Sequence, residues 1–199
     1  MPTRRPSLVR PLAGFAAAVV LGASPVGARL LHAQQPAAQP AAPTPPPARP
    51  ADVQSVDAII AAVYDVISGD AGVKRDWDRF RSLFHPQARL IPTGKRQTGE
   101  TVANVITPEQ YATRSGPMLE RDGFHEVEIA RTTEQYGNIV HAFSTYESRR
   151  TKADAQPFMR GINSIQLYND GTRWWVLTIF WQGETPDVPL PAKYLPKGE

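Results

Sequence analysis

Hydrophobic residues recur with a helical period in the first half of this chain and with a strand period in the second half. From Val53 to Ile67 an apolar residue returns every three or four positions, which predicts a helix with one buried face. A second, short helix is predicted over residues 76–84. A third begins with Thr107 as N-cap and Pro108 at the first helical position, and runs to about residue 119.

Strand-forming residues then dominate. Residues 125–136 and 139–150 predict one hairpin, and residues 158–168 and 173–182 predict another, whose Asp170-Gly171 turn supplies the positive φ angles of a tight connection. A short strand over residues 88–92 comes before them. Helices followed by a run of strands predict an α+β fold with the helices packed on one face of a curved sheet.

The two ends of the chain have different compositions. Arg4, Arg5 and Arg10 precede an apolar run, and small residues follow it, so residues 1–33 are predicted to be an export signal for the general secretory or the twin-arginine route. Residues 34–51 read as a linker rich in Pro, Ala and Gln, and residues 186–199 as an extended, proline-rich tail. This leaves residues 52–185 as the folded domain and predicts a periplasmic or secreted protein.

Charge and cysteine content exclude several kinds of function. The net charge is +3, but residues 1–33 contain four arginines and no acidic residue, so the remainder carries −1. A basic surface for nucleic acid is therefore not expected. The chain has no cysteine, which excludes disulfides, thiol nucleophiles and a lipid-modified cysteine, and no stable membrane anchor is expected after signal cleavage.

Two segments resemble the nuclear-transport-factor-2-like superfamily, and in particular its SnoaL-like and ketosteroid-isomerase-like branches. They are residues 77–86, WDRFRSLFHP, and the closing hairpin over residues 160–176, RGINSIQLYNDGTRWWV. The resemblance covers residues 52–185. It implies a cystatin-like cone, in which a strongly curved, mostly antiparallel sheet wraps around about three N-terminal helices and leaves a pocket at the wide end. It also implies a homodimer through the outer sheet face.

Pairing the strands about the two turns assigns side chains to the two faces of that sheet. The predicted ligand pocket consists of Tyr64, Trp77, Phe80, Tyr111, His125, Tyr146, Arg160 and Trp181. The predicted dimer face consists of Phe143, Ile165, Trp174, Thr178 and Phe180. Glu126 and Asn163 also fall on this outer face. A slip of one residue would invert both assignments.

No catalytic set is recognisable. The ketosteroid-isomerase branch has its carboxylate base at the first strand, but residues 85–92, HPQARLIP, contain no acid. His85 and His125 are alternatives for acid–base chemistry, although each also fits a turn or a strand end. Arg160 would hold an anionic or carbonyl group, or would stack on an aromatic ring. No histidine spacing predicts a metal, and no cofactor motif is present.

Three functions stay open. The first is an exported domain that binds a small, largely apolar ligand in an aromatic pocket. The second is a cofactor-independent lyase or isomerase, which requires a histidine or carboxyl group inside the cone with a strongly shifted pKa. The third is a dimeric interaction module that acts through the outer sheet face.

Overall fold

The computed structural model describes residues 44–197, and the predicted export signal and most of the predicted linker lie outside this range. Four helices occur: α1 (Pro50–Val53), α2 (Val56–Ile67), α3 (Trp77–Leu83) and α4 (Pro108–Asp122). Six strands follow or separate them: β1 (Phe84–Lys95), β2 (Thr101–Ala103), β3 (His125–Tyr136), β4 (Ile139–Arg149), β5 (Met159–Asn169) and β6 (Trp174–Gly183). A 3-10 turn, Ala192–Tyr194, lies near the C-terminus. The predicted α+β class is confirmed.

The strands form one curled, mixed sheet with the order β2-β1-β6-β5-β4-β3. All neighbouring pairs are antiparallel except β1 and β6, which are parallel. β1 is much longer than the predicted strand over residues 88–92, because it pairs along one side with β6 and on the other with β2. The helices pack against the concave face, where the hydrophobic core lies.

Local signals define the helix starts. Ser55 caps α2 by accepting a hydrogen bond from the backbone N–H of Ala58. Thr107 and Gln110 form the reciprocal capping box of α4.

Helix α4 continues three residues beyond the predicted end near Leu119, because Gly116 does not interrupt it. A Cβ atom there would lie 2.7 Å from the indole ring of Trp77, so this glycine lets α3 pack closely against α4.

The buried guanidinium group of Arg75 joins the ends of two helices. Its Nε atom donates to the carbonyl of Ile67 at the end of α2, and Nη2 donates to the carbonyl of Leu119 in the last turn of α4. It also donates to the carbonyls of Val73 and, at 2.6 Å, Gly69. The last carbonyls of a helix have no partner within it and carry partial negative charge, so one cation satisfies both helix ends.

A β-bulge in β6 determines which side chains enter the core. Gln166 pairs with Thr178 but Leu167 pairs with Val176, so Leu177 is an extra residue in β6. Trp174 and Val176 before the bulge therefore share the concave face with Ile179 and Trp181 after it. Strict alternation, on which the predicted faces rested, would place these two pairs on opposite faces.

The same shift corrects three predicted positions. Ile165 and Trp174, assigned to the dimer face, are core residues with 1% and 8% of their surface exposed. Arg160, assigned to the pocket, lies on the outer face and forms an ion pair with Glu184. Of the predicted dimer residues, Phe143, Thr178 and Phe180 remain on the outer face.

The C-terminal tail is not simply extended, since it folds back over the outer sheet face. Thr185 and Val188 form an isolated bridge, and the ring of Tyr194 lies 4.9 Å from that of Phe143. The hydroxyl group of Thr145 donates to the carbonyl of Tyr194 at 2.7 Å. Across residues 44–197, no helix is long and apolar enough to cross a membrane.

The double role of Arg75 predicts a large loss of stability in Arg75→Lys. A lysine ammonium group cannot reach carbonyls at two helix ends in the forked geometry of a guanidinium, and each buried carbonyl left unpaired costs about 1–3 kcal/mol. We expect the free energy of unfolding to fall by about 3 kcal/mol or more, measured by urea denaturation. The control is Arg121→Lys, which changes an exposed arginine of α4 paired only with Asp122. Equal losses in both variants would contradict the capping role.

Candidate functional site

An internal cavity of about 70 Å³ lies between the helices and the concave face of the sheet. Helices supply Val63, Ile67, Phe80 and Tyr111 to its lining, and the strands supply Phe84, Leu90, Glu126, Tyr146, Met159, Asn163, Ile179 and Trp181. This volume is room for a few water molecules or a small organic group, well below the 300–1,000 Å³ of a site for drug-sized ligands.

Aromatic rings form one wall of the cavity. Phe80 of α3 stacks on Tyr111 of α4 with ring centroids 5.5 Å apart, and it contacts Phe84 at 4.7 Å. Tyr111 in turn meets the edge of Trp181 at 6.3 Å. These contacts connect α3 and α4 to β6, so the wall is held by three elements that are distant in sequence.

Glu126 is the acidic side chain in this largely apolar lining. One carboxylate oxygen accepts a 2.9 Å hydrogen bond from the hydroxyl group of Ser148. Burial raises the pKa of Glu126 to about 7, while hydrogen bonding by Ser148 and Asn163 acts in the opposite direction. The residue keeps some accessible surface because it lines both the cavity and a groove between α2 and β3. The site thus contains a carboxyl group that changes charge near neutral pH.

The hydroxyl group of Tyr146 also belongs to the cavity, and it has no hydrogen-bond partner within residues 44–197. Its ring lies against Gly161, where a Cβ atom would come within 2.6 Å of the hydroxyl oxygen. Burial raises the pKa of this tyrosine, and the nearby Glu126 raises it further. The hydroxyl group therefore stays protonated and is free to donate to a molecule in the cavity.

Polar groups continue behind the cavity wall. The side-chain amide of Asn163 donates to the hydroxyl group of Tyr64 at 3.0 Å, and this hydroxyl group lies 2.6 Å from that of Ser144. Ser144 donates to the carboxylate of Glu128 at 2.5 Å. Asn163 is the member of this chain that lines the cavity.

The structure brings together half of the predicted pocket. Phe80, Tyr111, Tyr146 and Trp181 line the cavity, and Tyr64 is one hydrogen bond away from it. The other three residues lie elsewhere: Trp77 donates to Glu120, His125 contacts Asp70 at 2.8 Å, and Arg160 pairs with Glu184. His125 is held by this contact beside the groove between α2 and β3, not at the cavity.

Sequence reasoning missed Glu126 and Asn163, both assigned to the outer face. Asn163 is opposite Ser144 in the sheet and Glu126 is opposite Ser148, so inward-facing polar residues of three strands adjoin one another. The signal in the sequence was the pair of serines, Ser144 and Ser148, at alternate positions shared with Val140, Ala142 and Tyr146. No group of three acidic or histidine side chains within residues 44–197 is arranged to hold a metal ion.

Solved structures with a similar fold are known. A protein of unknown function with a cystatin-like fold from Nostoc punctiforme superposes with a TM-score of 0.50 at 12% identity, over 69% of this chain and 94% of its own. This chain has the cystatin-like fold. The cystatin-like fold that the resemblance implied is thus confirmed.

Two further solved structures match this chain with lower TM-scores. A putative ketosteroid isomerase from Parabacteroides distasonis has a TM-score of 0.44 at 14% identity, over 67% of this chain and 91% of its own. A putative calcium/calmodulin dependent protein kinase II association domain from Xanthomonas campestris has a TM-score of 0.45 at 16% identity, over 72% of this chain and 96% of its own. No protein-family model and no curated protein matches the sequence. A cystatin-like fold at such identities does not determine an activity.

The buried carboxyl group predicts a stability that falls as pH rises. The pKa of Glu126 is about 7 in the folded protein against an ordinary value of 4.5, so the folded state keeps a proton that the unfolded state has lost between these values. Glu126→Gln removes this loss. We expect the free energy of unfolding of the variant, relative to that of wild type, to increase by about 2 kcal/mol between pH 5 and pH 8, as measured by urea denaturation.

Glu147→Gln is the matched control for this prediction, since Glu147 lies on the outer face and pairs with Arg149. The difference in free energy of unfolding between this control and wild type should not increase across the same pH range. A difference between Glu126→Gln and wild type that does not change with pH would contradict the assignment of the buried proton to Glu126.

Proposed function

We propose that this protein binds a small, largely apolar molecule that carries one hydrogen-bond acceptor, inside the cone. The observation that carries the proposal is the hydroxyl group of Tyr146, which is buried at a largely apolar cavity and has no hydrogen-bond partner among residues 44–197. A buried polar group without a partner costs stability, so it requires a reason. A ligand acceptor in the cavity would pair with this hydroxyl group while the aromatic wall covers the rest of the ligand.

Two small molecules of matched shape test the proposal. Cyclohexanone offers a carbonyl oxygen where methylenecyclohexane has a carbon. Because one hydrogen bond contributes about 1 kcal/mol, we expect wild type to bind the ketone about fivefold more tightly, and Tyr146→Phe to bind both equally. Binding is followed by NMR shifts of cavity residues. The variant should fold, since it removes only an unpaired polar atom.

Tyr168→Phe is the control, because Tyr168 lies on the other side of the sheet in a groove with Pro45 and Pro46. It should keep the preference of wild type for the ketone. Equal binding of both molecules to wild type would contradict the role of Tyr146. Absence of any shift at cavity residues would contradict ligand binding itself.

Acid–base catalysis is the second candidate function, and Glu126 is the observation that favours it. A carboxyl group with a pKa of about 7 can give or take a proton at neutral pH, and it lies beside the Tyr146 hydroxyl group, which would donate to a developing oxyanion. The reaction class would be proton abstraction next to a carbonyl group, as a lyase or isomerase needs. His125 is not at the cavity and has no part in this proposal.

Deuterium exchange measures this activity directly. In D₂O, Glu126 would remove an α proton from cyclohexanone, and the resulting enolate would take up deuterium. We expect wild type to accelerate exchange about 100-fold or more over Glu126→Gln, with a midpoint near pH 7 in the rate profile. Equal exchange rates for wild type and variant, at saturating ketone, would exclude Glu126 as the base.

Export to the periplasm or exterior remains part of the proposal, and its support is the arginine-led apolar segment in residues 1–33.

A homodimer through the outer sheet face is the third hypothesis. Its support is reduced to Phe143, Thr178 and Phe180, and the tail lies over Phe143. Phe180 is the most exposed of the three, with 45% of its surface accessible.

A further inference from the structure

A chain of hydrogen bonds leads from the edge of the helix–sheet interface to the cavity. It begins at Glu128, whose carboxylate is 3.3 Å from the guanidinium group of Arg131. It passes through the hydroxyl groups of Ser144 and Tyr64 and ends at the amide of Asn163. Four elements contribute its side chains, namely β3, β4, α2 and β5.

The direction of every bond in this chain follows from its charged end. A carboxylate paired with a guanidinium group can only accept, so Ser144 must donate to Glu128. Because the hydroxyl proton of Ser144 is in the bond to Glu128, the Ser144 oxygen must accept the hydrogen bond that the Tyr64 hydroxyl group donates. The oxygen of Tyr64 in turn accepts from Asn163, which requires the amide nitrogen of Asn163, and not its oxygen, on this side.

The orientation of the Asn163 amide matters because Glu126 lies in the same cavity lining. We propose that Glu128, Ser144 and Tyr64 are positioning residues: they hold the Asn163 amide so that one N–H group donates to Tyr64 and the other faces Glu126. An amide turned the other way would present its oxygen, which repels a carboxylate and accepts from a carboxylic acid. The chain thereby controls the protonation of the group on which the proposed catalytic function rests.

The surroundings of Glu126 support this control. Hydrogen bonding by Asn163 lowers the pKa of Glu126 against the effect of burial. On the cavity side, the titratable groups near it are Tyr111 from α4 and Tyr146 from β4, with Tyr64 from α2 behind the cavity wall. In the groove between α2 and β3, the titratable and charged side chains that share the lining with it are Asp57, Asp65, His125, Glu128, Arg131 and Lys152. Burial raises the pKa of each of these tyrosines, and Glu126 itself contributes to the increase, so all three stay neutral while Glu126 titrates. Glu128, on the same strand, is the nearby acid, and Arg131 is its partner.

The test is the titration of Glu126, followed by NMR of the ¹³C-labelled carboxyl group and assigned with Glu126→Gln. In Glu128→Gln the new amide can donate to Ser144, which reverses the chain and turns Asn163. We expect the midpoint of the Glu126 titration to rise by about 1 pH unit, the equivalent of one hydrogen bond to a charged group. Tyr64→Phe, which frees the Asn163 amide, should also raise it.

The sign of the change separates this inference from simple electrostatics. Removing the charge of Glu128 without any turn of Asn163 would favour ionisation of Glu126, and the midpoint would fall. A midpoint in Glu128→Gln that falls or does not change overturns the proposal. Glu128→Gln keeps the shape of a partly exposed side chain, so it decides the question even where Tyr64→Phe does not fold.

Two controls complete the experiment. Glu147→Gln removes a carboxylate from the outer face, and Ser164→Ala removes an outer-face hydroxyl group that contacts His141. Neither should move the midpoint by more than about 0.2 pH units, since screened charges outside the site have small effects. The titration needs no ligand. A protein that binds no cyclohexanone but shows the expected rise would therefore refute the proposed function alone.

Discussion

The guanidinium group of Arg75 is the interaction on which the arrangement of helices depends. It holds the C-terminal ends of α2 and α4 together by donating to carbonyls of Ile67 and Leu119. These two helices carry Val63 and Tyr111 into the cavity lining. A Cβ atom at Gly69, the second residue after α2, would lie 2.6 Å from the guanidinium group, so a side chain there would displace this group. The cation thereby sets the distance between the helices that close the cavity.

The cavity combines two requirements that oppose each other. Burial of aromatic and aliphatic side chains away from water stabilises the cone. The rings of Phe80, Tyr111 and Trp181 form one continuous series of contacts along the cavity wall. The same exclusion of water penalises the charged form of Glu126 and leaves the Tyr146 hydroxyl group without a partner in the part of the chain that the structure describes. Polar groups kept at such a cost are typical of sites where function requires a shifted pKa.

The two faces of the sheet serve different purposes. The concave face carries the core and the polar residues of the cavity, whereas the convex face carries ion pairs such as Arg160–Glu184 and the returning tail. Tyr194 packs on Phe143 there, which places a segment of the same chain on part of the predicted dimer face. Prolines of the predicted linker likewise line a groove with Trp175 at the other end of the sheet.

The sequence by itself determined the features that depend on neighbouring residues: the cap at Thr107, the turn at Asp170-Gly171, the order of the longer helices and strands, and so the α+β class. The tertiary structure decided which residues meet. The bulge at Leu177 keeps Trp174 and Trp181 on the same face, and the pairing across three strands turns Glu126 and Asn163 inward. An offset of one residue in the register of a strand moves each of its side chains to the opposite face of the sheet, although the composition and the local strand propensity are the same. The site is therefore a property of strand pairing, which involves residues far apart in the chain.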